Sequence, residues 1–239
     1  MIFAFPKSVK FSIRDFYALY MAEFYYCIVN GRYLKRFFMP IKIKGFKIFE
    51  GASPDVSFLP MLARRKLDLT GKIVFHLANA LAGGKSGYKS VFASRYGCLN
   101  DCIKLFDSLN SGMGVSPNGF SSSVHNFPMG MFSIVEKNKS PYTAIAAGEN
   151  SLEAGLLEAF LETSEVLFVY AQEPLLDVID GESAPPCGLA FYCENCESGE
   201  ICVEFGNFSE EPMSFEKLKC FFENGGEICG KFLKLKSTL

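Results

Sequence analysis

The run from Ser116 to Phe160, SPNGFSSSVHNFPMGMFSIVEKNKSPYTAIAAGENSLEAGLLEAF, restricts the possible folds more than any other part of this chain. Ser116-Pro117 opens it, and Ser121, Ser122 and Ser123 offer side-chain oxygens to the free N–H groups of a helix start. Val124, Phe127, Met131, Phe132 and Val135 follow at helical spacing, so the predicted helix has an apolar face. Lys137 to Ser140 is a polar break. Tyr142 to Ala147 is short, apolar and uncharged, the pattern of a strand covered on both faces, although so short a run also fits a buried helix segment. Gly148 stops it. Glu149 and Asn150 stand where a helix N-terminus favours an acid and a cap, and Leu152, Leu156, Leu157 and Phe160 carry the next apolar stripe. Helix, strand, sharp turn, helix is the layout in which many α/β enzymes present a nucleophile. Here the turn reads Gly-Glu-Asn, with neither Ser nor Cys at its apex.

The flanking sequence fits the same class. Ser90 to Ser94 and Val166 to Tyr170 predict strands and Leu99 to Leu109 a helix, an alternation typical of parallel crossovers with helices on both faces of a sheet. Leu59 to Leu81 reads as helical, with Leu69, Ile73, Leu77 and Leu81 at four-residue steps, and Gly71 argues against one unbroken helix. Upstream, Val9 to Ile13 predicts a strand and Asp15 to Cys27 a helix. Ile41-Lys42-Ile43-Lys44, between Pro40 and Gly45, alternates like an edge strand guarded by lysines. Near the C-terminus, Cys187 to Cys193 and Ile201 to Phe205 read as a hairpin joined by the acidic turn Glu194 to Glu200, and Ser214 caps a last helix to Phe222.

A chain of 239 residues can bury the core of one domain, and residues 1–239 are read as a single α/β domain. A composition of 49% hydrophobic and 15% aromatic residues excludes disorder. No apolar run reaches the roughly 20 residues of a membrane span. MIFAFPKSVK is too short in apolar residues for a secretory signal, so a cytoplasmic location is expected. There the nine cysteines are reduced thiols, and their odd number argues against a complete disulfide framework. Residues 1–110 hold 17 Lys and Arg against 7 Asp and Glu, and residues 111–239 hold 7 against 19. Ordinary solvation explains this polarity most simply, and it can also steer an acidic partner. No nucleic-acid-binding motif accompanies the basic residues.

Candidate chemistry is sparse. GGKSG, beginning at Gly83, lacks the spacing of a phosphate loop and follows a helix instead of a strand. The one C-x-x-C, Cys193-Glu194-Asn195-Cys196, has no second ligand pair, so no metal or other cofactor is expected. His76 reads as packing in an apolar helix. His125 clusters with Ser123 and Asn126, an arrangement in which a Ser or Cys nucleophile is conceivable, but capping and core hydrogen bonds explain the trio without chemistry. Glu149 at a helix N-terminus has a structural role for the same reason.

The stretch S-P-x-x-F-S-x-S-V-H-N at Ser116 to Asn126, followed by S-P-Y-T-A-I-A-A-G-E-N-S-L-E-A-G-L-L-E-A, resembles the β-ketoacyl synthase-like N-terminal domain, in the short chain-length-factor-like proteins found with aryl polyene gene clusters. L-P-M-L-A-R-R-K at Leu59 to Lys66, V-F-A-S-R-Y-G at Val91 to Gly97 and V-L-F-V-Y-A-Q-E-P at Val166 to Pro174 support the likeness, which spans roughly residues 9–174. It implies a thiolase-like half domain: a mixed, mostly parallel sheet with helices on both faces. In condensing members of the family the elbow carries an acyl-accepting Cys, and two His come from a second half for which this chain has no room. Aligning Ser151-Leu152 with the Ser-Leu after that Cys places Gly148 at the nucleophile position, or Glu149 after a one-residue slip. Neither forms a thioester, so the degenerate elbow Gly148, Glu149, Asn150 implies no condensation by this chain.

Chain length factors are inactive synthase-like subunits that pair with a full-length ketosynthase across an edge strand and its neighbouring helix, and help shape the tunnel for the growing chain. Carried over, this makes His125, Asn126, Phe127, Met129, Met131 and Phe132 on the helix, with Tyr142 and Ile145 on the strand, the candidate partner and acyl-tunnel residues. Core filling is the competing account of each apolar one. The resemblance implies a heterodimer in aryl polyene or fatty-acid-like synthesis, with an acyl carrier protein as a further partner. A Cys/His-dependent acyl-transferring or hydrolytic enzyme and a homodimeric scaffold are the alternatives.

Overall fold

In a computed structural model of the protein, residues 37–237 are described apart from 52, 163, 176–184, 197 and 198. The strand and helix expected at Val9 to Ile13 and Asp15 to Cys27 lie outside the described residues. Contacts divide the chain into Met1–Phe37 and Phe38–Leu239, and the second unit is the subject below. In chain order its elements are β1 (Phe37–Glu50), α1 (Met61–Arg64), α2 (Leu69–Ala82), β2 (Lys89–Ala93), α3 (Leu99–Asn110), α4 (Pro117–Ser122), α5 (Phe127–Val135) and β3 (Tyr142–Ile145). A 3-10 turn (Gly148–Asn150) then leads into α6 (Ser151–Leu161), β4 (Val166–Gln172), β5 (Cys187–Asn195), β6 (Ile201–Phe205), α7 (Phe215–Asn224), β7 (Glu227–Cys229) and β8 (Leu233–Ser237).

The strands form one sheet in the order β3-β2-β4-β5-β1-β6-β8-β7. Pairing is parallel for β2 with β3 and β4, and antiparallel for β4 with β5, β5 with β1, and β8 with both β6 and β7. The sheet is mixed as expected, but its parallel part is the β3-β2-β4 trio and not the larger share. Alternation along the strands divides the core between two faces. Phe92, Leu167, Val169 and Ala190 join Ile73 and Leu77 of α2 and Met129 and Phe132 of α5 on one face. On the other, Phe191 stacks on Phe160 of α6 at 5.6 Å, on Phe168 at 4.8 Å and on Phe222 of α7 at 5.5 Å. Phe160, Phe168 and Phe191, all fully buried, each contribute about 2 kcal/mol relative to exposure, and Phe222 is half-buried.

Five expectations change. The helix expected from Ser123 to Val135 begins only at Phe127, after the separate α4, because Pro128 lacks the N–H that a continuous helix requires and its ring would meet the Val124 carbonyl. Ser121, Ser122 and Ser123 donate back to carbonyls of the preceding turn, and Ser116 is the residue that caps, accepting from Gly119 N at 3.0 Å. The run from Leu59 to Leu81 is indeed broken, into α1 and α2, but at residues 65–68 and not at Gly71: the Asp68 side chain caps α2 by accepting from Gly71 N at 2.6 Å. Strand β1 is no edge. It lies between β5 and β6, and Lys44 bonds Glu165 and Glu194. The predicted hairpin is therefore split: β5 and β6 both exist, but β1 runs between them.

Candidate functional site

Parallel pairing with β2 carries β3 to the elbow. Ile145 O accepts from Ser94 N at 3.1 Å, and Pro141 O accepts from Ser90 N at 3.3 Å. Backbone groups alternate sides along a strand, so the N–H and C=O of Tyr142 and Ala144 point away from β2, off the edge of the sheet. No charged side chain, proline or bulge protects that edge, unlike most free edges. Being at the edge also explains why β3 is only half-buried and not covered on both faces.

At the turn, Gly148 adopts φ +59° in open space, a conformation that favours glycine. The hydroxyl of Ser151 is 1% exposed and fully engaged, accepting from Ala147 N at 2.9 Å and donating to Gly148 O at 2.6 Å. It does the capping expected of Asn150, whose side chain makes no cap bond. Glu149 points outward, with Arg95 Nη2 at 3.5 Å and the Arg95 guanidinium over the Tyr96 ring. An exposed pair of this kind contributes less than about 1 kcal/mol.

His125 packs on the opposite side of the β2 exit. Its Nε2 lies 3.0 Å from Ser94 O, and its ring centroid is 5.3 Å from that of Phe92. Gly97, at φ +55°, lies so close that a Cβ there would come 2.5 Å from the imidazole Cδ2. Ser123 turns its hydroxyl to Phe120 O at 2.9 Å, so the trio is held together by backbone bonds and not as a nucleophile with a base. Asn126 Nδ2 donates to the Tyr142 hydroxyl at 3.2 Å and ties the α4–α5 joint to the edge strand.

The structure sorts the other candidates by burial. Met129 and Phe132 are core residues, Phe132 meeting Phe75 edge-on at 5.3 Å, so they give no surface to a partner. Phe127, Met131 and Tyr142 pack half-buried against the same core, and Ile145 is half-buried on the edge. The outward apolar surface is elsewhere: Ile134 on α5 is 72% exposed, Phe106 on α3 64% and Met113 76%, with Leu109, Phe120 and Val124 also exposed. Sequence reasoning missed this band. Its signal was in α3, where Leu99, Cys102, Ile103, Leu105, Phe106 and Leu109 are too many for one face, although α3 buries only Asn100.

The N–H groups of Gly84 and Gly87 in GGKSG bond Glu136 at 2.7 Å and Asn138 at 3.2 Å, so this loop is stitched to the protein. His76 lies half-buried, with Nδ1 3.1 Å from Asp55 N. Cys193 is buried on β5, and burial pushes its thiol up to about 12. Among the described residues, no three His, Cys, Asp or Glu side chains are placed to hold a metal ion, and no helix is long and apolar enough to cross a membrane.

One structural residue escaped the sequence. Glu153, in the first turn of α6, is fully buried, and its carboxylate accepts from the N–H groups of Met213, Lys231, Phe232 and Leu233 at 2.5–3.2 Å. It fastens the elbow helix to the C-terminal strands.

The sequence profile of the β-ketoacyl synthase N-terminal domain matches residues 45–237. Comparison with curated protein sequences gives no match. Among solved structures, a chain of "Ketosynthase (ApeO) in Complex with its Chain Length Factor (ApeC) from Xenorhabdus doucetiae" superposes with a TM-score of 0.65 at 19% identity, covering 82% of this chain and 98% of that one. The ishigamide ketosynthase/chain length factor gives 0.52 at 16% identity, covering 69% of this chain and 65% of that chain. A β-ketoacyl synthase from Burkholderia phymatum STM815 gives 0.52 at 13% identity, covering 69% and 63%. The fold is that of a ketosynthase N-terminal half, with its thiolase-like layering.

Proposed function

The chain belongs to the β-ketoacyl synthase family through its N-terminal domain, and from that premise we propose that it is a non-condensing, chain-length-factor-like subunit that pairs with a full-length ketosynthase in aryl polyene or related fatty-acid-like synthesis. One conjunction carries the proposal: an elbow without a nucleophile beside an uncharged strand that is the edge of the sheet among the described residues. Acyl transfer at such an elbow requires a thiolate or an activated hydroxyl. Residues 148–150 offer neither, and the Ser151 hydroxyl is spent on the backbone. The outward groups of Tyr142 and Ala144 suit an added strand, and the apolar band of α3, α4 and α5 enlarges the surface toward the roughly 1,200–2,000 Å² of a stable complex. An acidic acyl carrier protein is the third member we assign, with exposed Met61 and Leu62 beside Arg65 and Lys66 as its contact surface.

Co-expression with a full-length ketosynthase of the same organism, followed by size-exclusion chromatography with light scattering, tests the pairing: a one-to-one complex is expected. A homodimer that ignores the synthase favours the scaffold reading. Mass spectrometry after incubation with acyl thioesters should find no covalent adduct, and an adduct on a cysteine would replace this reading with acyl transfer.

A further inference from the structure

Where β4 leaves the sheet, three carboxyl groups gather around one amine. Glu173 follows β4, Asp68 caps α2, and Asp101 lies in the first turn of α3 with Lys104 Nζ at 2.7 Å. Glu173 is only 6% exposed. The Asn100 side chain and the Thr70 N–H donate to it, while its Oε1 has no partner among the described residues. Asp68 is in the same position: one oxygen accepts from Gly71 N, and the buried Oδ2 has no partner. The thiol of Cys98 bonds Asp68 from the loop before α3. Three buried or half-buried carboxylates against one exposed lysine are an unfavourable sum, and ionised carboxylates only accept hydrogen bonds. A retained proton cancels one charge and supplies a missing donor.

We propose that Glu173 keeps its proton well beyond the range of an ordinary carboxyl group, and that this proton locks the exit of β4 onto the N-termini of α2 and α3, so that ionisation on approaching and passing neutrality loosens the junction. Burial first, then the neighbouring Asp68, pushes Glu173 up to about 7, and burial raises Asp68 too. The lock bears on the elbow. Thr70 Oγ1 donates to Gly97 O at 3.2 Å, and Gln172 Oε1 accepts from Arg95 N at 3.2 Å. The loop of residues 94–98 thus hangs on this junction, and it carries the carbonyl that holds His125 and the guanidinium that meets Glu149.

The native state binds this proton more tightly than the unfolded chain does, so the contribution is complete below the usual carboxyl value of 4.5 and is lost as pH rises through about 7. Thermal unfolding from pH 5 to 8.5 tests it. The wild-type Tm should fall about 5 °C further than that of Glu173→Gln, and equal slopes would overturn the proposal. In carboxyl-labelled wild-type protein, one glutamate 13C resonance should titrate near neutrality, and its midpoint should drop in Asp68→Asn. If Glu173→Gln does not fold, the wild-type spectrum decides alone: every glutamate titrating below about pH 6 would overturn the lock.

Discussion

The two edges of the sheet are built to opposite rules. At one end, β3 presents Tyr142, Thr143, Ala144 and Ile145, four half-buried residues without a charge. At the other, β7 is three residues long, and Glu227 meets Lys234 of β8 at 2.6 Å. Short length and charge are the usual means of keeping an edge in water. The β7 edge is moreover tied down internally, because Glu153 holds residues 231–233 ahead of β8. Strand β3, four residues long, carries no charge, and its described tie is the single neutral bond from Asn126 to the Tyr142 hydroxyl. The contrast teaches that the described chain closes its C-terminal side with its own carboxylate and ion pair, whereas on the elbow side the proposed function assigns the closure to another molecule.

Removing the internal tie should have the largest effect. Glu153→Ala leaves four backbone N–H donors, two of them buried, without their acceptor, and a loss of about 3–5 kcal/mol is expected, with a Tm drop near 10 °C in a thermal melt. Glu153→Gln should recover part of it, since one amide oxygen still accepts. Next comes Ala144→Pro, which removes an N–H directed off the sheet and leaves the bonds to β2 intact. Pairing with the ketosynthase should weaken at least tenfold, about 1.4 kcal/mol, while the monomer Tm moves by only a few degrees. Phe106→Glu combined with Leu109→Glu should weaken the same pairing by about 1–2 kcal/mol in a titration and reduce self-association of the free chain. Glu227→Ala should matter least. An exposed ion pair contributes under about 1 kcal/mol, and pairing with the synthase should not change.

The contrast between the edges was half legible in the sequence. The uncharged run at Tyr142 and the stripe Leu152, Leu156, Phe160 marked β3 and α6, because local periodicity determines both. Pro128 also divided α4 from α5 by a local rule, one that the spacing of Val124 and Phe127 hid. The location of β1 was not legible. Its lysines look like edge protection until Glu165 and Glu194, more than a hundred residues away, are brought beside Lys44. The same non-locality hid Glu153, whose partners lie 60 to 80 residues further along the chain. At the elbow, the absence of a nucleophile was readable from residues 148–150. That Met129 and Phe132 face the core while Phe106 and Ile134 face out was not, since α5 is apolar on more than one side.

Backbone hydrogen exchange tests the claim about the two edges most directly. With a full-length ketosynthase added, the amides of Tyr142 and Ala144 should become protected while those of Glu227 to Cys229 exchange as before. Unchanged exchange at β3 in a mixture that forms a complex, or protection at β7 instead, would contradict it.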